Sequence, residues 1–215
     1  MGFDTTLVTD CNIDEFTRAK RAFTRNVQAG DAAVFFFAGH GVEASVRRGG
    51  KYDQSNWLLA TDLPECNDDL PRKAIDAQDI LAGLEERSGE GGFNVLILDC
   101  CRNDPLDEGP PPLPAEMRGI GGGLNKMLAP SGSMIAFACA PKQQAAEPPT
   151  GRNGTFTKHL LKHIETPGLS LHDLFVRVSN AVKSETRDYP AGQQKPYVNH
   201  SLTVEGASLC PVGND

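Results

Sequence analysis

The chain has 215 residues, a formal net charge of −7 and a hydrophobic content of 39%. This length and composition predict one folded domain and exclude an intrinsically disordered chain. No apolar run reaches the roughly 18 residues of a membrane helix, and neither a secretory signal nor a Lys/Arg-rich block is visible. We therefore expect a cytoplasmic protein that binds neither membranes nor nucleic acid.

Strand and helix patterns alternate along the chain, as in a parallel α/β sheet. Residues 5–9 (TTLVT) predict a short strand, and Asn12 with Glu15 predicts a capped helix start. Residues 33–38 (AVFFFA) form a continuous apolar run, which predicts a strand covered on both faces. Residues 39–53 are rich in glycine and charge, and they predict a loop.

Later elements continue the alternation of strands and helices. In chain order, the patterns predict a short strand over residues 57–60, a helix over 76–86, strands over 94–98 and 134–138, helices over 156–164 and from Ser170 onward, and an edge strand over 198–204.

One segment departs from this pattern in composition. Residues 104–132 contain six prolines and six glycines, which predicts a loop or a linker rather than a regular element. The segment separates a larger part, residues 1–103, from a smaller part, residues 133–215.

The cysteines give no sign of a metal site. There is no CxxC pair and no Cys/His cluster with zinc-binding spacing, so the sequence predicts no structural metal. In a reducing cytosol we expect free thiols. The chain has six cysteines, which are Cys11, Cys66, Cys100, Cys101, Cys139 and Cys210.

Two predicted strands end in residues that can carry chemistry. The strand over 33–38 is followed by Gly39, His40 and Gly41, and the strand over 94–98 is followed by Asp99-Cys100-Cys101-Arg102. Functional groups collect at the carboxyl ends of parallel strands. If the two strands are neighbours, an imidazole and a thiol converge as a Cys/His dyad, with a glycine N–H available for an oxyanion. The alternatives are a strand-end turn with a satisfied histidine and a cysteine that only packs.

These motifs carry a family resemblance. Residues 36–43 (FFAGHGVE), followed by the LDCCR motif of residues 98–102, resemble the caspase-like cysteine peptidases, closest to the paracaspase and metacaspase branches. The resemblance implies a caspase-like three-layer sandwich with a mostly parallel central sheet flanked by helices. It also implies that residues 1–103 form the large-subunit-like part and that residues 133–215 form the small-subunit-like part of one domain.

The resemblance also implies the roles of site residues. His40 matches the catalytic histidine, and Cys101 matches the nucleophile because the family pattern is Asp-x-Cys. The backbone amides of Gly41 and Cys101 would form the oxyanion hole. Asp99 matches an acid of the substrate pocket, and Glu147 would form a second wall of it. The implied activity is a cofactor-free cysteine endopeptidase that cleaves proteins or peptides after basic residues, Arg before Lys.

The sequence departs from the family at its start. Family members usually begin with a further strand and helix ahead of the part that matches residues 2–10. In the sheet, that first strand lies between the strands that match residues 5–9 and 33–38. This sequence has no room for it. We therefore expect a homodimer or an additional N-terminal segment to complete the sheet. The rival interpretation is a catalytically idle scaffold or interaction domain. His159 and His163 are interpreted as core-edge or surface histidines rather than as a metal pair.

Overall fold

The protein is described by a computed structural model that covers residues 2–48, 51–101, 127–140, 153–190 and 192–212, without the side chains of residues 47, 48, 51–53 and 101. Its elements are α1 (Ile13–Asn26), β1 (Ala32–Arg48), β2 (Lys51–Leu59), a 3₁₀ turn (Asn67–Asp69), α2 (Leu70–Lys73), β3 (Ala74–Asp76), α3 (Ala77–Ser88), β4 (Phe93–Cys101), β5 (Ser133–Phe137), α4 (Thr155–His163), α5 (Leu171–Glu185) and β6 (Tyr197–His200).

The described strands form one six-stranded sheet in the order β3-β2-β1-β4-β5-β6. The two central pairs, β1 with β4 and β4 with β5, are parallel. The outer pairs, β1 with β2, β2 with β3 and β5 with β6, are antiparallel. Helices cover both faces, so the predicted α/β sandwich is confirmed. None of the helices in the described ranges is long and apolar enough to cross a bilayer.

Strand β4 lies between the two larger of three hydrophobic clusters in the described residues. Its side chains alternate between the faces of the sheet, as the pleat requires. Leu96 and Leu98 pack in the cluster that includes α1 and α3. Val95 and Ile97 pack in the cluster that includes α4 and α5. The odd-numbered positions of β4 therefore belong to the α4/α5 face.

Helix α1 begins where the sequence predicts it. The Asn12 side chain accepts a hydrogen bond from the Glu15 backbone N–H at 3.0 Å, and the Glu15 carboxylate accepts one from the Asn12 N–H at 3.1 Å. This capping box satisfies two of the amides that a helix start leaves open. The helix packs on the sheet through Phe16, whose ring stacks on that of Phe37 at a centroid distance of 5.7 Å.

Two sequence predictions near the start of the chain are wrong. Residues 5–9 form no strand and are exposed, and Leu7 is 83% accessible. A high β propensity does not make a strand without a partner to pair with. Residues 39–48 and 51–53 are not a loop, because β1 runs to Arg48 and β2 starts at Lys51. The alternation of Val42, Ala44 and Val46 with polar residues is a strand pattern, and these three side chains are buried.

Strand β1 changes partner along its length. Residues 32–40 pair with β4, and residues 41–48 pair with β2 on the other side. Within the described ranges no strand pairs with the outer edge of residues 32–40. The predicted burial on both faces is wrong for this part of β1, because Phe36 is 44% exposed. Residues 102–126, which hold most of the Pro/Gly-rich segment, lie outside the described residues.

Candidate active site

The two strand ends that the sequence singled out lie side by side. In the parallel pair of β1 and β4, His40 and Cys101 are register partners. Neighbouring strands are about 4.8 Å apart, so the backbones of the two residues lie side by side. The predicted adjacency of these strands is confirmed. Paired positions of a parallel ladder lie on the same face of the sheet, and both residues fall on the α4/α5 face by the alternation of β4.

His40 lies at the position where β1 leaves β4. The next residue, Gly41, is already the partner of Leu58 in β2. Because β4 ends at Cys101 while β1 continues, the imidazole lies at the open end of the parallel pair, and it is exposed. A side chain at Gly39 would collide with the Phe37 ring, since an added Cβ would lie 2.9 Å from its Cζ. The absence of a side chain at Gly39, directly before His40, therefore leaves space for the Phe37 ring against the strand.

Asp99 lies two residues before Cys101 on β4 and faces the start of α4. Its Oδ2 accepts a hydrogen bond from the Thr157 hydroxyl at 2.5 Å. A Cβ placed on Gly154 would be 3.4 Å from the same oxygen, so the backbone of the α4 start is close to the carboxylate. The buried Phe156 holds this turn in the α4/α5 cluster. Sequence analysis missed Thr157, although an NGTFT segment with a glycine at the helix start was visible.

The adjacent residues Cys100 and Cys101 occupy alternate positions of β4, which belong to opposite faces of the sheet. Cys100 is 3% exposed and packs in the cluster with α1 and α3. Position 101 follows it on the strand and so belongs to the opposite face. This placement fits the interpretation of Cys100 as a packed side chain and keeps it away from the face that carries Asp99.

Comparison with protein families supplies the identity. A family model described as the caspase domain matches residues 1–205. The chain belongs to the caspase family. That family is one of cysteine peptidases, which act on protein substrates. No curated protein matches the chain.

Solved structures share the fold of this caspase domain. Caspase-1 from Spodoptera frugiperda is similar with a TM-score of 0.57 and 17% identity, over 94% of this chain and 74% of that one. A protein from Geobacter sulfurreducens, solved as a structural-genomics target, has a TM-score of 0.57 and 15% identity, over 94% of this chain and 78% of that one. At these identities the likeness shows the fold alone.

Other predicted residues of the caspase domain fall elsewhere. Glu147 lies outside the described residues, so its place in the pocket stays a prediction. His159 does not join His163 in a metal site. It is buried at the edge of the core, and its Nε2 lies 2.7 Å from a carboxylate oxygen of Glu185. In the part of the chain that the structure describes, no group of three His, Cys, Asp or Glu side chains could hold a metal ion.

Proposed function

We propose that this caspase domain is a cysteine endopeptidase that cleaves protein or peptide chains after basic residues. Cys101 is the nucleophile and His40 is its proton partner, and the reaction uses no cofactor. The observation that supports the proposal is the pairing of His40 with Cys101 at the open carboxyl end of two parallel strands. Sites of α/β sheets form at such ends.

The reaction follows from the chemistry of the two groups. The Cys101 thiolate attacks the carbonyl carbon of the scissile peptide bond, after the imidazole of His40 has taken the thiol proton. The negative charge that develops on the carbonyl oxygen is stabilised by the backbone N–H groups of Gly41 and Cys101. His40 then gives its proton to the leaving amine, and the peptide bond breaks. Water hydrolyses the resulting thioester, which releases the acid product and the free thiol.

The basic specificity is proposed from the acid beside the nucleophile. Asp99 and Cys101 are two positions apart on one strand, so they share a face of the sheet. A carboxylate that is partly buried near a substrate pocket favours a cationic side chain, and Glu147 would add a second charge. A guanidinium can donate two parallel hydrogen bonds to a carboxylate, whereas an ammonium cannot. Arg is therefore the preferred residue before the scissile bond, followed by Lys.

The proposal is tested first by removing each member of the dyad. Cys101→Ala and His40→Ala should each lower kcat by at least about a thousandfold on a peptide whose scissile bond follows an Arg. Cys100→Ala is the matched control, because it removes the neighbouring thiol from the other face, and it should keep most of the activity. The double variant Cys101→Ala/His40→Ala should be no worse than either single one, since the two residues act as a unit. An active Cys101→Ala protein would refute the assignment.

The substrate class is tested separately with four matched peptides that carry Arg, Lys, Asp or Leu directly before the scissile bond. We expect kcat/KM to fall in the order Arg, Lys, then Leu and Asp. Asp99→Asn should lower kcat/KM for the Arg peptide by about tenfold or more, because a charge-assisted hydrogen bond is lost. A preference for Asp, or an Asp99→Asn variant that cleaves the Arg peptide as well as wild type, would contradict the basic specificity.

One observation favours the rival function, a scaffold without catalysis. The outer edge of residues 32–40 in β1 has no partner strand within the described ranges, and such an edge can bind another chain by strand addition. A folded protein with a cooperative melting transition and no turnover of any of the four peptides would favour the scaffold over the peptidase.

A further inference from the structure

Helix α4 begins against a carboxylate that comes from the sheet. Its N-cap is Gly154, which has no side chain to accept from the first helical amides, and the first turn contains no acidic residue. Helix starts normally receive an acceptor or a negative charge there, because their free N–H groups carry partial positive charge. An acid of the sheet, Asp99 of β4, lies next to Gly154.

Thr157 makes the specific contact at this helix start. Its hydroxyl donates to Asp99 Oδ2 at 2.5 Å, across 58 positions of the chain. Both side chains are half-buried, so the bond forms at the margin of the α4/α5 cluster rather than in open solvent. The neighbouring Phe156 is fully buried, which fixes the turn that carries the hydroxyl. The contact therefore joins a rigid helix start to the acid beside the nucleophile.

We propose that Thr157 is a positioning residue that fixes the plane of the Asp99 carboxylate and thereby makes the site prefer Arg over Lys. This inference rests on the proposed cleavage after basic residues. A carboxylate has about four lone-pair directions, and the Thr157 hydroxyl donates into one of them. Thr157 itself does not contact the reacting atoms and acts only through Asp99.

The orientation of the carboxylate matters differently for the two basic side chains. A guanidinium forks onto a carboxylate only when the two planes match, whereas an ammonium is a point charge with three rotatable donors. Loss of the orienting hydroxyl should therefore weaken recognition of Arg far more than recognition of Lys. A purely structural role of Thr157 would weaken both by the same factor.

The test is the ratio of kcat/KM for the Arg peptide to that for the Lys peptide. Thr157→Val removes the hydroxyl and keeps the branched shape, and it should lower this ratio by about tenfold, mainly through KM for Arg. Thr157→Ser keeps the hydroxyl and should restore the wild-type ratio. Thr24→Val is the matched control, because the Thr24 hydroxyl donates only within α1, to the Lys20 carbonyl at 2.9 Å. It should leave the ratio unchanged.

The ratio does not depend on the concentration of active enzyme, so partial unfolding of a variant does not disturb it. Should Thr157→Val not fold at all, Thr157→Ala provides the same comparison. An unchanged ratio in the variant without the hydroxyl would overturn the positioning role, as would a lowered ratio in Thr157→Ser. Failure of wild type to cleave any basic peptide would instead overturn the proposed function, so the two failures are distinguishable.

Discussion

Glu185 shows how one side chain joins two helices next to the candidate site. Its carboxylate accepts two hydrogen bonds from the Lys158 ammonium, at 2.7 and 2.8 Å, and lies 2.7 Å from Nε2 of His159. Glu185 ends α5, whereas both partners belong to α4, directly after Thr157. The hydrogen bond from Lys158, followed by that from His159, holds the pKa of Glu185 below its ordinary value of 4.5.

This pairing predicts a pH dependence of stability. Because the folded-state pKa of Glu185 is lowered, its contribution is fully present above about pH 4.5 and is lost as the pH falls through the folded pKa. Glu185→Gln should lower the free energy of unfolding by about 1 kcal/mol at pH 7. The difference from wild type should be smaller at pH 3 than at pH 7. Urea denaturation at both pH values measures it.

A second ion pair supplies the comparison for this variant. Asp69 and Arg72 lie one turn apart at the surface, with a distance of 2.9 Å between Oδ1 and Nη2. Asp69→Asn should change stability less than Glu185→Gln, because the Arg72 side chain is 77% exposed and that of Lys158 is 42% exposed, so water and salt screen the pair of Asp69 and Arg72 more strongly. If the effect of Glu185→Gln were as large at pH 3 as at pH 7, it would arise from packing rather than from the charge.

At the level of elements, the outer edge of β1 along residues 32–40 has no partner strand in the described sheet. Among the described strands, residues 32–40 pair with β4 alone. Phe36, which lies in this stretch, is 44% exposed. Unpaired backbone groups beside an apolar side chain are a template for strand addition. A second copy of the chain is the partner always present in a purified sample.

We therefore predict that the 215-residue chain self-associates through this edge. Phe36→Lys should weaken the association by at least about tenfold, because pairing would bury an unpaired ammonium. Leu161→Lys is the matched control, since Leu161 is 57% exposed and belongs to helix α4 rather than to the sheet. Sedimentation over a range of concentrations gives the measurement. A wild-type chain that stays monomeric at all concentrations would show that the edge is not used in this way.

Elements with local signals were predictable from the sequence, and pairings were not. The capping box at Asn12 and the apolar runs of β4 and β5 act within a few residues of the chain, so α1 and these strands were found close to their observed bounds. The long β1–β2 ladder depends on a buried cluster around Trp57 that forms only in the fold. Residues 5–9 had the propensity of a strand but no partner.

The same distinction holds for the candidate site. The adjacency of the strand ends that carry His40 and Cys101 could be predicted, because each residue closely follows an apolar run and parallel strands place their carboxyl ends together. Thr157 could not be predicted, because its contact with Asp99 depends on how α4 lies on the sheet. Tertiary packing, rather than any local pattern, determines that position.

For the molecule as a whole, β4 is the strand that connects the two halves of the sheet and the two main hydrophobic clusters. It pairs with β1 on one side and β5 on the other, and its two faces contribute to both main hydrophobic clusters. The backbone N–H of Ala138, just after β5, donates to the Leu98 carbonyl at 2.9 Å. The part before the Pro/Gly-rich segment and the part after it therefore contribute to a single sheet.

The clusters on the two faces of β4 differ in when they can form during synthesis. Most of the cluster with α1 and α3 comes from residues that leave the ribosome before or with β4. The cluster with α4 and α5 needs residues from Phe156 to Val182, and Asp99 meets Thr157 only then. Strands β1 and β4 thus emerge long before the acid beside Cys101 is held in place. A nascent chain therefore carries His40 and Cys101 on paired strands before the contact between Asp99 and Thr157 can form.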